Sequence, residues 1–154
     1  MTGTNAMIRS GKAARLMIAL VVLSVGYSGC RRAPDEEQVR QAVAALSRSA
    51  EAGSVAGVTA LLSVDFDGNA GELDRRSLGN MVRIVAMRGE SIGVITGPIS
   101  IEHRGERMVA AFDATLTNRS RLLPEQLGLY HVQSAWRREH GEWRCYWASW
   151  KHVL

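Results

Sequence analysis

The sequence lacks any short motif that assigns a catalytic or metal-binding class by itself. It contains no Cys-x-x-Cys pair, no His-Glu-x-x-His zinc motif, no glycine-rich phosphate loop and no serine nucleophile elbow between a strand and a helix. Asp65-x-Asp67-Gly68-Asn69 matches the start of a calcium-binding loop, but the bidentate glutamate that ends such a loop is missing. We therefore expect no metal ion and no cofactor.

An excess of basic residues is also absent once the first 29 residues are set aside. The whole chain has a formal net charge of +4, which alone would favour nucleic acid as a partner. Arg9, Lys12 and Arg15 supply three of its 19 basic residues, so the rest of the chain carries 16 basic and 15 acidic side chains. A nearly neutral domain gives no electrostatic reason to expect nucleic-acid binding.

Only two cysteines are present, Cys30 and Cys145. An exported protein could pair them in its oxidising compartment, but lipid on Cys30 would prevent this pairing. Cys145 lies in a strand-like segment between Arg144 and Tyr146, where a thiol ordinarily acts as a small apolar filler. We expect Cys145 to be buried and unreactive.

The N-terminal region has no apolar run of the roughly 20 residues that a membrane-spanning helix needs. Its apolar run, residues 16–25, follows a purely basic segment and leads into Gly26-Tyr27-Ser28-Gly29-Cys30. This order of basic, apolar and small residues is that of a secretory signal peptide. An uncleaved anchor, or a signal peptide followed by an incidental cysteine, is the alternative interpretation.

The end of this segment resembles a lipobox, the signal for diacylglyceryl transfer to a cysteine and cleavage before it. Ser28, Gly29 and Cys30 match the pattern, whereas Tyr27 occupies a position where leucine or another aliphatic residue is preferred. The resemblance implies a bacterial lipoprotein with a signal peptide at 1–29, a lipidated tether at 30–34 and a periplasmic domain at 35–154. Arg31, by the same resemblance, favours the outer membrane, where several acyl chains would give stable anchoring.

The region after the tether predicts three helices. Asp35 is a suitable N-cap for the first, whose apolar residues recur at three- and four-residue steps until Gly53. Ser54 is expected to cap a second, shorter helix, and Asp74 is expected to cap a third. The segment 65–71, which is rich in aspartate and glycine, is predicted to be a loop.

Beyond the third helix the apolar period changes to two, which predicts strands. Ser91–Thr96 forms the first, and Ile99–Arg104 and Arg107–Thr117 form a hairpin in which His103 faces Met108.

A second hairpin pairs Tyr130–Glu139 with Glu142–Val153. Placing Arg138 opposite Trp143 predicts that one face fills the core with Trp136, Trp143, Trp147 and Cys145, with Ser134 opposite Trp147. The other face is then expected to carry Arg137, Arg144, Tyr146 and Trp150, with His131 opposite Trp150. Aromatic side chains on this second face would suit a partner or ligand.

The closing hairpin, Trp136-Arg137-Arg138-Glu139-His140-Gly141-Glu142-Trp143-Arg144, follows three helices of which the second ends in a Leu-Leu-Ser-x-Asp-Phe segment. This order, over about residues 35–152, resembles the nuclear transport factor 2-like superfamily. The resemblance implies an α+β domain in which three N-terminal helices pack on a curved antiparallel, cone-shaped sheet. Because the superfamily includes isomerases, cyclases, dehydratases and non-catalytic binders, it implies no single function.

Few side chains suit the chemistry that the resemblance implies, in which a carboxylate or an Asp–His pair works inside the cone. His103 is one candidate because its register places it inward, and a half-exposed histidine bonded to a neighbour is the alternative. Asp67 is the other, although Asp65, Asp67 and Gly68 equally fit a turn.

Asp113 is expected to be a solvated or paired carboxylate. Arg137, Arg138 and Arg144 are predicted to form a basic hairpin tip that is either solvated or in contact with anionic lipid.

Three functions are compatible with these features. The leading hypothesis is a lipid-anchored, non-catalytic binding or interaction module in the periplasm, with a small apolar ligand. The first alternative is an isomerase or cyclase with His103 and Asp67 as acid–base residues. The second is an accessory subunit, or a homodimer, that docks through Tyr146 and Trp150, with Trp147 as a further binding residue.

Overall fold

The structure, a computed structural model, describes residues 32–118 and 125–153, and for residues 125–127 it describes the backbone only. A compact unit begins at Pro34. The predicted signal peptide and Cys30 lie outside the described residues, so their assignments stay predictions.

Three helices are present in the described part of the chain: α1, Asp35–Glu51; α2, Val55–Ala60; and α3, Arg75–Met87. The predicted caps of α2 and α3 are confirmed, because Ser54 Oγ accepts from the Gly57 amide at 3.1 Å and Asp74 Oδ1 accepts from the Ser77 amide at 2.6 Å. The N-cap predicted at Asp35 is wrong. Pro34 occupies that position, and the Asp35 carboxylate instead forms an ion pair with Arg138.

No helix among the described residues is both long enough and apolar enough to span a membrane.

Within the described ranges, seven strands form one curved sheet: β1, Leu62–Gly68; β2, Leu73–Asp74; β3, Ile92–Thr96; β4, Ser100–Arg104; β5, Arg107–Asn118; β6, Glu125–Glu139; and β7, Glu142–His152. The strand order is β2-β1-β7-β6-β5-β3, and β4 pairs with the same edge of β5 as β3 does. The expected α+β class is therefore present, with its helices toward the N-terminal end of the domain.

Two features of the predicted sheet are wrong. The first four residues of the segment 65–71, assigned to a loop, belong to β1, which lies between α2 and α3 in sequence and buries Leu62 and Phe66. Strand β1 also runs parallel to β7, so the sheet is mixed rather than purely antiparallel. The turn itself is confined to the following residues, where Asn69, Ala70 and Gly71 adopt positive φ angles.

The hairpin registers near both turns are confirmed. Strand β4 pairs His103 with Met108, and β6 pairs Arg138 with Trp143 and Trp136 with Cys145. A β-bulge then shifts β7 by one residue, so that Ala135 pairs with Trp147 and Val132 with Trp150. Because side chains alternate between faces, this shift reverses the predicted face of every β7 residue beyond the bulge.

The bulge changes the predicted face or pairing partner of four residues. Trp150 packs against the core on the same face as Val132, whereas it was predicted on the opposite face beside Tyr146. Trp147, predicted to fill the core, is only partly buried and is not among the core residues. Ser134 pairs with Ala148, and His131 pairs with Lys151 rather than Trp150.

The core lies between the helices and the face of the sheet that carries Met108, Ala110 and Trp136. It contains Val39, Val43, Val58, Leu62, Phe66, Met108, Ala110, Trp136, Trp143, Cys145 and Ala148. The predicted roles of Trp136, Trp143 and Cys145 are confirmed. Burial raises the pKa of the Cys145 thiol to about 12, so that this cysteine is a protonated, unreactive filler.

Candidate functional site

Two of the cavities formed by the described residues adjoin β5 and β6. The tip cavity, about 540 Å³, adjoins the β4–β5 turn and is lined by Asp35, His103, Gly105, Glu106, Arg107, Met108, Arg137, Arg138 and Trp143. The apolar cavity, about 380 Å³, lies between α3 and the far half of the sheet and is lined by Leu73, Leu78, Met81, Ala114, Leu116, Tyr130, Val132 and Trp150. The two differ sharply in chemistry, and this difference decides which one is the candidate site.

The tip cavity contains charged groups that have partners in the protein, among them Arg138 and His103. Arg138 forms an ion pair with Asp35, and its guanidinium carbon lies 5.0 Å from the centre of the Trp143 ring. His103 Nε2 lies 3.1 Å from Glu36 Oε1, and the His103 side chain is 55% exposed. Although His103 faces Met108 as predicted, it is a solvent-accessible histidine bonded to a neighbouring carboxylate.

Asp67 does not line the tip cavity. It lies near the end of β1, where its Oδ1 accepts a 2.6 Å hydrogen bond from the Gly71 amide and so stabilises the turn before β2. The structure therefore does not bring Asp67 and His103 together as an acid–base pair in that cavity.

Arg137 is the centre of a polar network on the sheet face opposite Trp136. Its Nη2 donates to Asp65 Oδ1 at 2.5 Å and to Ser63 Oγ at 2.6 Å, and its Nε donates to Glu139 Oε1 at 2.7 Å. The Ser63 hydroxyl is buried and lies 2.6 Å from the Glu139 carboxylate. The Arg137 hydrogen bond, followed by that of Ser63, lowers the pKa of Asp65 to about 2.

Tyr146 lies beneath this network. The guanidinium carbons of Arg107 and Arg137 are 5.3 and 5.2 Å from the centre of its ring, so Tyr146 takes part in cation–π contacts on this outer face. Sequence reasoning missed the network, because it depends on β1 lying beside β7 in a parallel pairing.

The remaining predicted polar residues are paired on the surface. Arg144 forms a 2.9 Å ion pair with Glu142, so each of the three hairpin arginines has a carboxylate partner. Asp113, expected to be solvated or paired, lies 2.8 Å from His131 Nδ1. The guanidinium groups considered for lipid contact, those of Arg137, Arg138 and Arg144, are therefore in ion pairs within the protein.

The apolar cavity is shaped by the residues that position Trp150. The Trp150 amide donates to Asn69 Oδ1 at 2.9 Å. A Cβ on Gly68 would lie 3.0 Å from Trp150 Cη2, so glycine allows the indole to lie against β1. Gly68 and Asn69 were interpreted as turn residues alone. Their contact with Trp150 could not be inferred without the bulge in β7.

The lining of the apolar cavity offers little to acid–base chemistry. None of the described residues around it is a carboxylate or a histidine, and Tyr130 is their sole titratable side chain. The Tyr130 ring meets the His152 ring edge-on, with 5.1 Å between centroids. No group of three or more potential metal ligands occurs among the described residues. The lining of this cavity is therefore apolar surface with one phenol hydroxyl.

One five-residue segment matches the Gly-x-Ser-x-Gly sequence of a nucleophile elbow but lies in a different structural context. Gly89-Glu90-Ser91-Ile92-Gly93 connects the end of α3 to β3. A serine elbow connects a strand to a helix. The order here is the reverse, so the pattern indicates no nucleophile.

No protein-family model matches the chain, and no curated protein matches it. Solved structures do. An NTF2-like protein with a cystatin-like fold from Novosphingobium aromaticivorans is 14% identical, with a TM-score of 0.68 over 94% of this chain and 92% of its own. A Mycobacterium tuberculosis protein of unknown function is also 14% identical, with a TM-score of 0.68 over 93% of this chain and 76% of its own.

A third similar structure is an NTF2-like family protein from Streptomyces avermitilis that is provisionally called a dehydratase. It is 14% identical, with a TM-score of 0.66 over 78% of this chain and 96% of its own. Likeness at this identity establishes the fold and leaves activity open. The chain has the fold of the NTF2-like proteins, as the closing hairpin and the order of elements predicted.

Proposed function

We propose that this chain is a lipid-anchored, non-catalytic binding module of the bacterial envelope, and that it holds a small apolar ligand in the apolar cavity. The observation that carries the ligand assignment is the lining of that cavity, which combines seven apolar side chains with the single phenol of Tyr130. Apolar walls with one orienting polar group are typical of binding sites for small lipophilic molecules.

Burial of a ligand against these walls supplies the affinity. Each square ångström of apolar surface removed from water contributes about 25 cal/mol, and Trp150 offers the largest ring in the lining. The Tyr130 hydroxyl provides a donor or acceptor for one polar atom of the ligand. A ligand with an apolar body and a single polar end fits this lining.

The anchor and the location are supported by sequence alone. Ser28-Gly29-Cys30 after a basic and apolar segment favours lipidation of Cys30 and a periplasmic position, with Arg31 favouring the outer membrane. A binding module held at a membrane by its lipid is placed where lipophilic molecules are concentrated.

Native mass spectrometry on full-length protein extracted from its own membranes tests the ligand. Wild type is expected to carry an additional non-covalent mass. Leu116→Trp fills the apolar cavity and is expected to lose that mass. Thr115→Trp adds the same side chain to the opposite sheet face, where Thr115 pairs with Ile95, and is expected to keep it. Equal bound mass in all three proteins, or none in wild type, would contradict the proposal.

A further inference from the structure

Helix α3 exposes three large apolar side chains. Met81, Ile84 and Met87 are 50%, 44% and 72% exposed. At about 100° per residue they lie within about one third of the helix circumference. Leu78 and Val82 pack on the core from the other side of the same helix. Since α3 already has a buried face, its exposed apolar stripe indicates a second contact surface.

Arginines border this stripe. Arg76, Arg83 and Arg88 are exposed, and helical geometry puts Arg76 and Arg83 along one edge of the stripe and Arg88 at the other. The helix itself, Arg75–Met87, contains no aspartate or glutamate. An apolar stripe flanked by cationic side chains is the pattern of a helix that lies in the headgroup region of a bilayer.

We propose that this face of α3, formed by Met81, Ile84, Met87, Arg76, Arg83 and Arg88 and here named the α3 docking face, docks on an anionic lipid bilayer. Charge complementarity selects this occupant. Anionic headgroups attract the arginines while the apolar stripe enters the acyl boundary. A second copy fits poorly, because two such faces in contact would bring six arginines together without an acidic residue from either helix.

The α3 docking face adjoins the apolar cavity. Met81 belongs to both, and Leu78, one turn earlier on α3, also lines the cavity. A domain docked through α3 would therefore present the cavity beside the lipid surface, so that a lipophilic ligand from the bilayer reaches it without crossing water. The class of ligand rests on the proposed function, whereas the docking itself does not.

Site-directed spin labelling of the full-length chain on lipid vesicles tests the docking. A nitroxide is placed at Asn80→Cys, which is exposed on α3, in a background with Cys30→Ala. Cys145 is buried and resists labelling. On vesicles of equal phosphatidylcholine and phosphatidylglycerol, we expect the label to gain accessibility to lipid-dissolved oxygen and to lose accessibility to an aqueous nickel complex. A label at Ser100→Cys, exposed on the sheet face away from the helices, is expected to stay aqueous.

Matched variants separate the two parts of the face. Ile84→Gln with Met87→Gln is expected to abolish the change at Asn80, and Ile95→Gln, an exposed apolar residue on the opposite sheet face, to preserve it. Arg76→Gln with Arg83→Gln is expected to remove the dependence on phosphatidylglycerol.

Three results would overturn the docking proposal. The first is a label at Asn80 that stays aqueous on the vesicles of equal phosphatidylcholine and phosphatidylglycerol. The second is an unchanged response in the Ile84 and Met87 variant. The third is protection of the label without vesicles as protein concentration rises, which would identify a second copy. The cavity is tested separately by Leu116→Trp, so failure of docking and failure of ligand binding are distinguishable.

Discussion

Arg137 shows how one side chain can link distant parts of this sequence. It contacts Ser63 and Asp65 on β1 and Glu139 on its own strand, and its guanidinium lies over Tyr146 on β7. Ser63 is buried, and its hydroxyl accepts from Arg137, so this polar group is satisfied within the protein. The network stabilises the pairing of β1 with the remainder of the sheet.

The pH dependence of stability tests this network. Contact with Arg137 and Ser63 lowers the pKa of Asp65 from 3.8 to about 2. Because the folded pKa is the lower one, the carboxylate stabilises the fold above the unfolded pKa, and this contribution is lost as the pH falls through the folded value. The Asp65 side chain is 59% exposed, so we expect Asp65→Asn to reduce the free energy of unfolding by about 0.2–1 kcal/mol at pH 7.

Urea unfolding at several pH values measures this effect. The difference between wild type and Asp65→Asn should be constant from pH 7 to about 4 and should vanish toward pH 2, as the linkage between protonation and folding requires. Glu102→Gln, which removes the highly exposed pair with Arg104, serves as the control. A difference at Asp65 that stays the same at all pH values would contradict the ion-pair explanation.

At the scale of elements, a glycine sets the distance between α2 and α3. Gly79 is buried in α3, and a Cβ there would lie 3.1 Å from Thr59 Cγ2 and 3.3 Å from Val55 Cγ1. Both contacts are with α2. The close approach of these helices positions the first half of α3, which supplies Leu78 and Met81 to the apolar cavity.

Enlarging this glycine should separate the helices. Gly79→Leu is expected to lower the free energy of unfolding by about 1–3 kcal/mol, the usual cost of overpacking. Asn80→Leu adds the same side chain one residue later at an exposed position and should leave the fold nearly unchanged. Thermal and urea unfolding of both variants measure the difference. Equal stability of the two would show that α2 and α3 do not pack through Gly79.

Helices and strands could be predicted where the residues that determine them are close together in the sequence. Helix caps at Ser54 and Asp74, and both hairpin registers near their turns, follow from residues close in sequence and were predicted. Strand β1 was missed because Asp65, Asp67 and Gly68 are turn formers, and its pairing partner lies in β7, about 80 residues away. No residue pattern in the sequence predicts the bulge in β7. Because of that bulge, Trp150 rather than Trp147 faces the cavity.

The candidate site was less predictable than the fold for the same reason. Its walls come from α3, β2, β5, β6 and β7, so they meet only once the sheet is assembled. His103 and Asp67 were selected by residue type, and each has a local role: His103 is bonded to Glu36 and Asp67 caps a turn. An apolar cavity has no comparable signature in sequence, because Leu, Val and Trp at those positions are equally consistent with ordinary packing.

At the scale of the whole molecule, the presence of only two cysteines, Cys30 and Cys145, makes the anchor testable. Cys145 is buried, and its pKa is raised to about 12 by desolvation, so it is a poor acceptor for any thiol modification. Cys30 follows Ser28 and Gly29 at the end of the predicted signal peptide. If the protein carries thioether-linked lipid, that lipid has to be on Cys30.

We therefore expect intact-mass analysis of the protein from its own membranes to show a mature chain that begins at Cys30 and carries acyl mass. Cys145→Ala should keep this mass, because it removes a thiol that takes no part. Cys30→Ala should lose it and should retain residues 1–29, since cleavage before the cysteine follows lipid transfer in proteins that the segment resembles. An unacylated wild-type chain would contradict the anchor. An unacylated chain that is cleaved near residue 29 would indicate an ordinary signal peptide. An unacylated chain that is not cleaved would indicate a protein held by the apolar run at residues 16–25.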